Sequence, residues 1–182
     1  MELFNGRPTD LSVRSEREMA VYDFLDSLNI KYDRADHPRA ETMEACAEID
    51  RALGVTMCKN LFLCNRQKTD FYLLLMPGDK PFKTKDLSSQ LGISRLSFAE
   101  SDAMLAYLDI LPGSVSVMGL MNDNESKVQL LIDRDTLDEE FIGCHPCECT
   151  SSLKISTADI INVFLPAVKH QYIAVDLPRY DV

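Results

Sequence analysis

The six residues Phe71-Tyr-Leu-Leu-Leu-Met76 restrict the fold more than any other stretch of the chain. Side chains along a strand alternate between two faces, and this run is apolar on both, so it needs cover above and below. It therefore belongs in the middle of a sheet. The run Lys59-Asn-Leu-Phe-Leu-Cys-Asn65 precedes it, and the polar segment Arg66 to Asp70 between the two predicts a hairpin. Pro77-Gly78-Asp79 ends the second strand, and Val128 to Asp133 reads as another buried one.

Helices and further strands alternate irregularly around this hairpin. Ser15 with Glu18 is a capping-box signature, and Met19, Val21, Tyr22, Leu25 and Leu28 give the helix that follows one buried face. Ile30 to Ala35 reads as a strand broken by His37-Pro38, and Ala45 to Leu53 as a helix that Gly54 stops. Helices are expected at Thr84 to Leu91 and Ser101 to Leu108, with a short strand at Ser94 to Phe98 between them. Pro112-Gly-Ser-Val-Ser-Val-Met-Gly119 reads as a turn and then a strand, because Ser114 and Ser116 alternate with Val115 and Val117. Strands approach and leave a Cys-rich turn at 143–149, and Thr157 caps a last amphipathic helix that Pro166 stops. This pattern predicts one mixed α/β domain, a mixed and largely antiparallel sheet surrounded by helices. Residues 1–14 read as an arm, 15–170 as the domain and 171–182 as a tail.

Composition narrows the function classes. No apolar run approaches the ~18 residues that cross a bilayer, and no basic-then-apolar leader opens the sequence, so a cytoplasmic protein without membrane contact is expected. In that setting the six Cys are expected as reduced thiols. A formal charge of −10 argues against a generic phosphate-binding surface, so a nucleic acid would need a local basic patch. Lys80-Pro-Phe-Lys-Thr-Lys85 is the densest positive segment, which makes Lys80, Lys83 and Lys85 the candidates.

The densest chemistry lies in Gly143-Cys-His-Pro-Cys-Glu-Cys149. Three readings compete for it: a hydrolytic pocket, a metal site and a dithiol. Cys144 and Cys147 form a C-x-x-C, but a reactive thiolate is favoured at a helix N-terminus, and turn and strand follow here. Zinc would draw on Cys144, His145, Cys147 and Cys149 with Cys58 or Cys64; those last two sit six apart in a strand, about 20 Å from each other, and cannot form one knuckle. Burial as small hydrophobes accounts for most of the six. There is no G-x-S-x-G elbow, and of the three His only His145 sits in a turn dense in special residues, since His37 precedes a loop proline and His170 lies near the tail. Gly113-Ser114 could face an oxyanion or phosphate with backbone N–H groups, or be a plain strand-entry turn.

Four segments in this order carry a resemblance: Lys59-Asn60 opening a strand, Met76-Pro-Gly-Asp-Lys80, Pro112-Gly-Ser-Val-Ser116, and Gly143-Cys-His-Pro146 followed by Thr150-Ser-Ser152. Together they resemble the prolyl-tRNA editing superfamily, the relatives of YbaK and of the insertion domain of bacterial prolyl-tRNA synthetase, and within it the free-standing alanyl-tRNA(Pro) deacylases of the ProX/PrdX type. The similarity runs from about residue 15 to residue 170. It implies a mixed α/β domain that hydrolyses the ester of a mischarged tRNA without metal or other cofactor. The implied partners are the tRNA acceptor end and a prolyl-tRNA synthetase.

The resemblance also implies roles. Lys59 contacts the terminal phosphate or ribose with Asn60 orienting it, the backbone at Gly113 and Ser114 serves the carbonyl oxygen, and Gly143, His145 and Pro146 position the 3′ end. Val115, Val117 and Met118 are expected as the apolar wall, and the Lys80 to Lys85 segment as the phosphate patch. Two positions depart from the family pattern: Val117 stands where a glycine loop written G-x-x-x-P has its proline, and Cys149 stands where many relatives carry Asn. A non-catalytic tRNA- or synthetase-binding module and a C-x-x-C oxidoreductase stay open as alternatives.

Overall fold

The computed structural model describes residues 1–180. Its strands are β1 (Leu3–Asn5), β2 (Tyr32–Asp36), β3 (Cys58–Cys64), β4 (Phe71–Pro77), β5 (Ser97–Phe98), β6 (Val128–Asp133), β7 (Phe141–Cys144), β8 (Ser151–Ser156) and β9 (Tyr172–Val175). The main helices are α1 (Glu16–Ser27), α2 (Met43–Leu53), α3 (Thr84–Leu91), α4 (Ser101–Leu108) and the single turn α5 (Arg134–Leu137). The expected mixed α/β class holds, but the strands divide into two sheets. One is antiparallel in the order β1-β2-β8-β7; the other is mixed, β5-β3-β4-β6-β9, with β4-β6 and β6-β9 parallel.

β4 occupies the centre of the mixed sheet, as its two apolar faces require. Phe71, Leu73 and Leu75 enter a large core between the sheets, where α1 adds Val21, Tyr22 and Leu25 and the antiparallel sheet adds Ile142, Leu153 and Ile155. Leu74 and Met76 face the other way into a second core closed by Leu87 of α3, Leu96 and Val175 of β9. Every β4 position from Leu73 to Met76 is fully buried. Truncating one of these leucines to Ala would cost about 2–5 kcal/mol.

Several capping signals act as read, but in the last helical run, 157–167, Ser156 is the cap in place of Thr157 and Pro166 lies inside the run instead of stopping it. Ser15 accepts from the Glu18 amide, Thr42 accepts from the Ala45 amide, and Gly54 and Gly92 end α2 and α3 in the left-handed conformation. Glu18 does not complete a capping box. It is buried, and its carboxylate instead accepts from the Tyr22 hydroxyl (2.6 Å), the Arg14 guanidinium (3.0 Å) and the Ser151 hydroxyl (3.1 Å). Arg14 also binds Asp36 at 2.8 Å, so this network ties α1 to β2 and β8.

A strand forms within each of the segments that the sequence suggested as an arm and a tail. Leu3–Asn5 pairs with β2 as an edge strand, and Tyr172–Val175 extends the mixed sheet beside β6. Short edge strands carry a weak apolar signal, and β9 buries only Val175 fully. The strand expected from Ser114 is absent. Leu111-Pro-Gly-Ser114 closes a turn through the Ser114 amide and the Leu111 carbonyl (3.1 Å), and Val117–Asn122 then winds into a 3-10 helix. Pro112 followed by Gly113 at φ +90° is the type II arrangement, which demands glycine at the third position. Ser116 overrides its strand-like alternation by accepting from the Met118 amide (3.2 Å) and donating to the His145 carbonyl (2.5 Å).

The two sheets touch at one isolated bridge, Met57 with Gly143. A Cβ at Gly143 would stand 2.7 Å from the Met57 sulfur and 3.1 Å from its Cα, and one at Gly78 would strike the Met57 carbonyl. Met57 therefore passes between two glycines, and its amide donates to Asp50 of α2 at 3.0 Å. Gly78→Ala is expected to lower the unfolding free energy by about 1–3 kcal/mol, because backbone must move to admit the methyl group. Urea unfolding checks this: the midpoint should fall at constant slope.

Candidate active site

A mostly apolar cleft of about 440 Å³ opens beside this seam. One wall is α2, where Met43, Cys46, Ala47 and Asp50 recur at spacings of three and four and so share a helix face. Met57, Cys58 and Lys59 enter at the start of β3, Gly78 and Asp79 from the loop after β4, and Gly113 from its type II turn. His145, Cys149 and Ser152 close the far side. Lys59, Gly113 and His145, far apart in sequence, thus line one space.

His145 Nδ1–H donates to the Ser151 carbonyl at 2.8 Å, so in the neutral ring Nε2 is left as the acceptor. Burial lowers its pKa, and the neighbouring His37 adds to the effect, while the bond to Ser151 opposes it. His37 is held the same way. Its Nδ1–H donates to the Pro38 carbonyl (2.9 Å), and its Nε2 accepts from the Ser152 hydroxyl (2.8 Å). The Ser152 oxygen lies 3.5 Å from His145 Nδ1, and the two imidazole centroids are 6.3 Å apart. This His37–Ser152 brace behind His145 escaped the sequence reading. The available signal was that both His37 and His145 directly precede proline.

Lys59 is half-buried and donates from Nζ to the Lys80 carbonyl at 2.6 Å. Asn60 points to the opposite face of β3 and donates to the Cys58 carbonyl at 3.3 Å, so it does not orient Lys59. The amide of Ser114 is already engaged within its turn, which leaves that of Gly113 without a partner among the described residues. A Cβ on Gly113 would collide with the guanidinium of Arg39, which lies against the turn.

The remaining expected residues lie elsewhere. Lys80 is 1% exposed and paired with buried Asp133 at 2.8 Å and with Asp135 at 3.3 Å, so it cannot meet a phosphate. A cation and carboxylate desolvated together are held by each other, and parting them would strand a buried charge. Lys83 lies 3.6 Å over the Tyr180 ring, and Lys85 is exposed beside Ser88, Ser89 and Arg95, away from the cleft. The wall expected from Val115, Val117 and Met118 is displaced: Val117 and Met118 are fully buried in the main core, and Val115 packs against it. Met43, Ala47, Ile49 and Met57 line the cleft instead. Gly143 makes the sheet seam and Pro146 is buried, so neither borders the cleft.

Burial raises the thiol pKa of Cys144, and that of Cys147 to about 12. Both are therefore held as thiols, the reverse of what dithiol exchange needs. Among the described residues no three His, Cys, Asp or Glu side chains gather as a metal ion requires.

An imidazole, a lysine and a main-chain turn border this mostly apolar cleft, and comparison with known proteins gives the class of the protein. Residues 37–163 match the family of the aminoacyl-tRNA editing domain. The match spans most of the chain, so this protein belongs to that family and is an aminoacyl-tRNA deacylase, an enzyme that hydrolyses the ester joining an amino acid to tRNA. It is 29% identical over 80% of its length to the prolyl-tRNA editing protein ProX of Acetoanaerobium sticklandii, covering 88% of that protein. It is 32% identical over 90% of its length to the prolyl-tRNA synthetase associated domain-containing protein 1 of Danio rerio, covering 85%. Among solved structures, one described as a candidate trans-editing enzyme for prolyl tRNA synthetase superposes with a TM-score of 0.65 at 16% identity, covering 89% of this chain and 96% of its own, and shares the fold.

The direction of the His145 shift sets a pH dependence. The neutral ring is favoured in the folded state, so its contribution to stability is complete above the unfolded pKa of about 6.5 and is lost as pH falls through the lower folded value. Deacylation that uses the neutral ring is expected to hold its plateau through pH 6.5 and decline only in more acidic buffer. A kcat/KM profile with its acidic midpoint above that value would contradict this.

Proposed function

We propose that this protein is a trans-editing deacylase that clears mischarged tRNA(Pro), with alanine as the amino acid removed. The chemical need is specific. A proline-activating site cannot exclude a smaller amino acid by size, because one or two missing methylenes are worth only ~1–3 kcal/mol. A second cleft that admits the smaller residue and rejects the larger supplies the missing selectivity. Met43, Ala47, Ile49 and Met57 are the apolar side chains against which that choice would be made.

An aminoacyl ester is already activated and needs no side-chain nucleophile. In this reading water attacks the carbonyl carbon, placed by the free hydroxyl of the terminal ribose. The bond from that carbon to the ribose oxygen breaks, the proton passes to the departing ribose oxygen, and the amino acid leaves. The unpartnered amide of Gly113 stabilises the charge on the carbonyl oxygen. The Ser114 amide takes no part. Lys59 holds the ribose end, and neutral His145, braced by Ser151 and the His37–Ser152 pair, accepts a hydrogen bond from the 3′ nucleoside.

The convergence of Lys59, Gly113 and His145 on one cleft carries this reading. A prolyl-tRNA synthetase that hands over the tRNA suits the chain's net charge of −10, which gives little affinity of its own for RNA.

Incubation with Ala-tRNA(Pro) and Pro-tRNA(Pro) tests the proposal: alanine should be released well above background and proline should not. Release of neither amino acid, or of both equally, would overturn alanine as the amino acid removed. Lys59→Ala is expected to lower kcat/KM at least tenfold, about what loss of a charged hydrogen bond causes, with an unchanged far-UV spectrum.

A further inference from the structure

Resting on that reading of the cleft, the structure assigns the phosphate-binding role to a residue outside the lysine cluster. We propose that Arg39 grips the phosphate on the 5′ side of the terminal nucleoside, at the mouth of the cleft that takes the aminoacyl ester.

Four observations carry this. The cleft lining holds two cationic side chains among the described residues, Arg39 and Lys59. Lys59 already donates to a main-chain carbonyl, and half-buried at the strand start it reaches inward. Arg39 is exposed, and among the described residues its guanidinium has no hydrogen bond or ion pair. It lies against Gly113, where a side chain on that residue would collide with it.

The segment that carries Arg39 is also fixed. The His37 amide donates to the Thr150 carbonyl at 3.0 Å, and the His37 ring ties Pro38 to Ser152. A planar guanidinium held on such a support offers paired N–H donors that match two phosphate oxygens, which an ammonium does not. Neither carboxylate of the cleft pairs with it among the described residues: Asp50 accepts the Met57 amide, and Asp79 lies 3.6 Å from Arg179. In a chain of net charge −10, a free arginine over the very turn proposed to meet the ester carbonyl places positive charge where the adjoining phosphate must pass.

Two substrates separate this from a role in the chemistry: an alanylated tRNA(Pro) minihelix and the 3′-alanyl ester of adenosine, which has no phosphate. Arg39→Ala is expected to raise KM for the minihelix about tenfold or more, with kcat little altered, and to weaken the salt dependence of log KM by about 0.7 for one single-stranded phosphate contact. The loss on the adenosine ester should be at least tenfold smaller. Arg39→Lys should recover most of the salt dependence and only part of the KM. With an active wild-type enzyme, equal losses on both substrates, or no loss on the minihelix, overturn the phosphate assignment alone. A wild-type protein that cleaves neither ester overturns the proposed clearing of alanine from tRNA(Pro) and this inference with it.

Discussion

The passage of Met57 between Gly78 and Gly143 is the contact on which the site depends. Two sheets with different strand directions meet there, and they meet closely because neither glycine has a side chain to hold them apart. The same residue anchors α2 through Asp50. A shift at this point would move the helical wall, the loop after β4 and the start of β3 relative to His145. The cleft is thus the open end of a packing seam, and its dimensions follow from the tightness of the seam.

Charge is arranged around the site with similar economy. Lys80, which stands out in the sequence as part of a basic cluster, is buried against Asp133 and lends only its carbonyl to the cleft, as an acceptor for Lys59. Glu18, Arg14, Asp36 and Ser151 form a second buried network that fixes α1 on the antiparallel sheet. These charges are consumed in holding elements together. The cleft is left with a neutral imidazole, one half-buried lysine, an exposed arginine and the amide of Gly113, the groups on which the proposed function rests.

Parts of this were legible in residue order and parts were not. The double-faced apolar run at 71–76 announced the central strand, and glycines at 54 and 92 announced helix ends, because these signals depend on neighbours within a turn or a strand. The Ser-Val alternation at 114–117 misled because two side-chain bonds of Ser116, one to a carbonyl 29 residues away, outweighed a local periodicity. Val117 and Met118 therefore fell into the core and the wall passed to α2. His37 was dismissed as a loop residue because its partner, Ser152, lies 115 positions along the chain.

The sequence by itself determined the class of fold, the central strand, the helix ends at Gly54 and Gly92 and three residues of the cleft, since apolar periodicity, capping chemistry and recognisable short motifs are written along the chain. Only the tertiary structure decided that the strands form two sheets, that Lys80 is a structural ion pair, and that Arg39 lies over Gly113 beside the cleft. Those outcomes depend on which surfaces exclude water together and on which donors find acceptors across space, and neither is a property of neighbours in sequence.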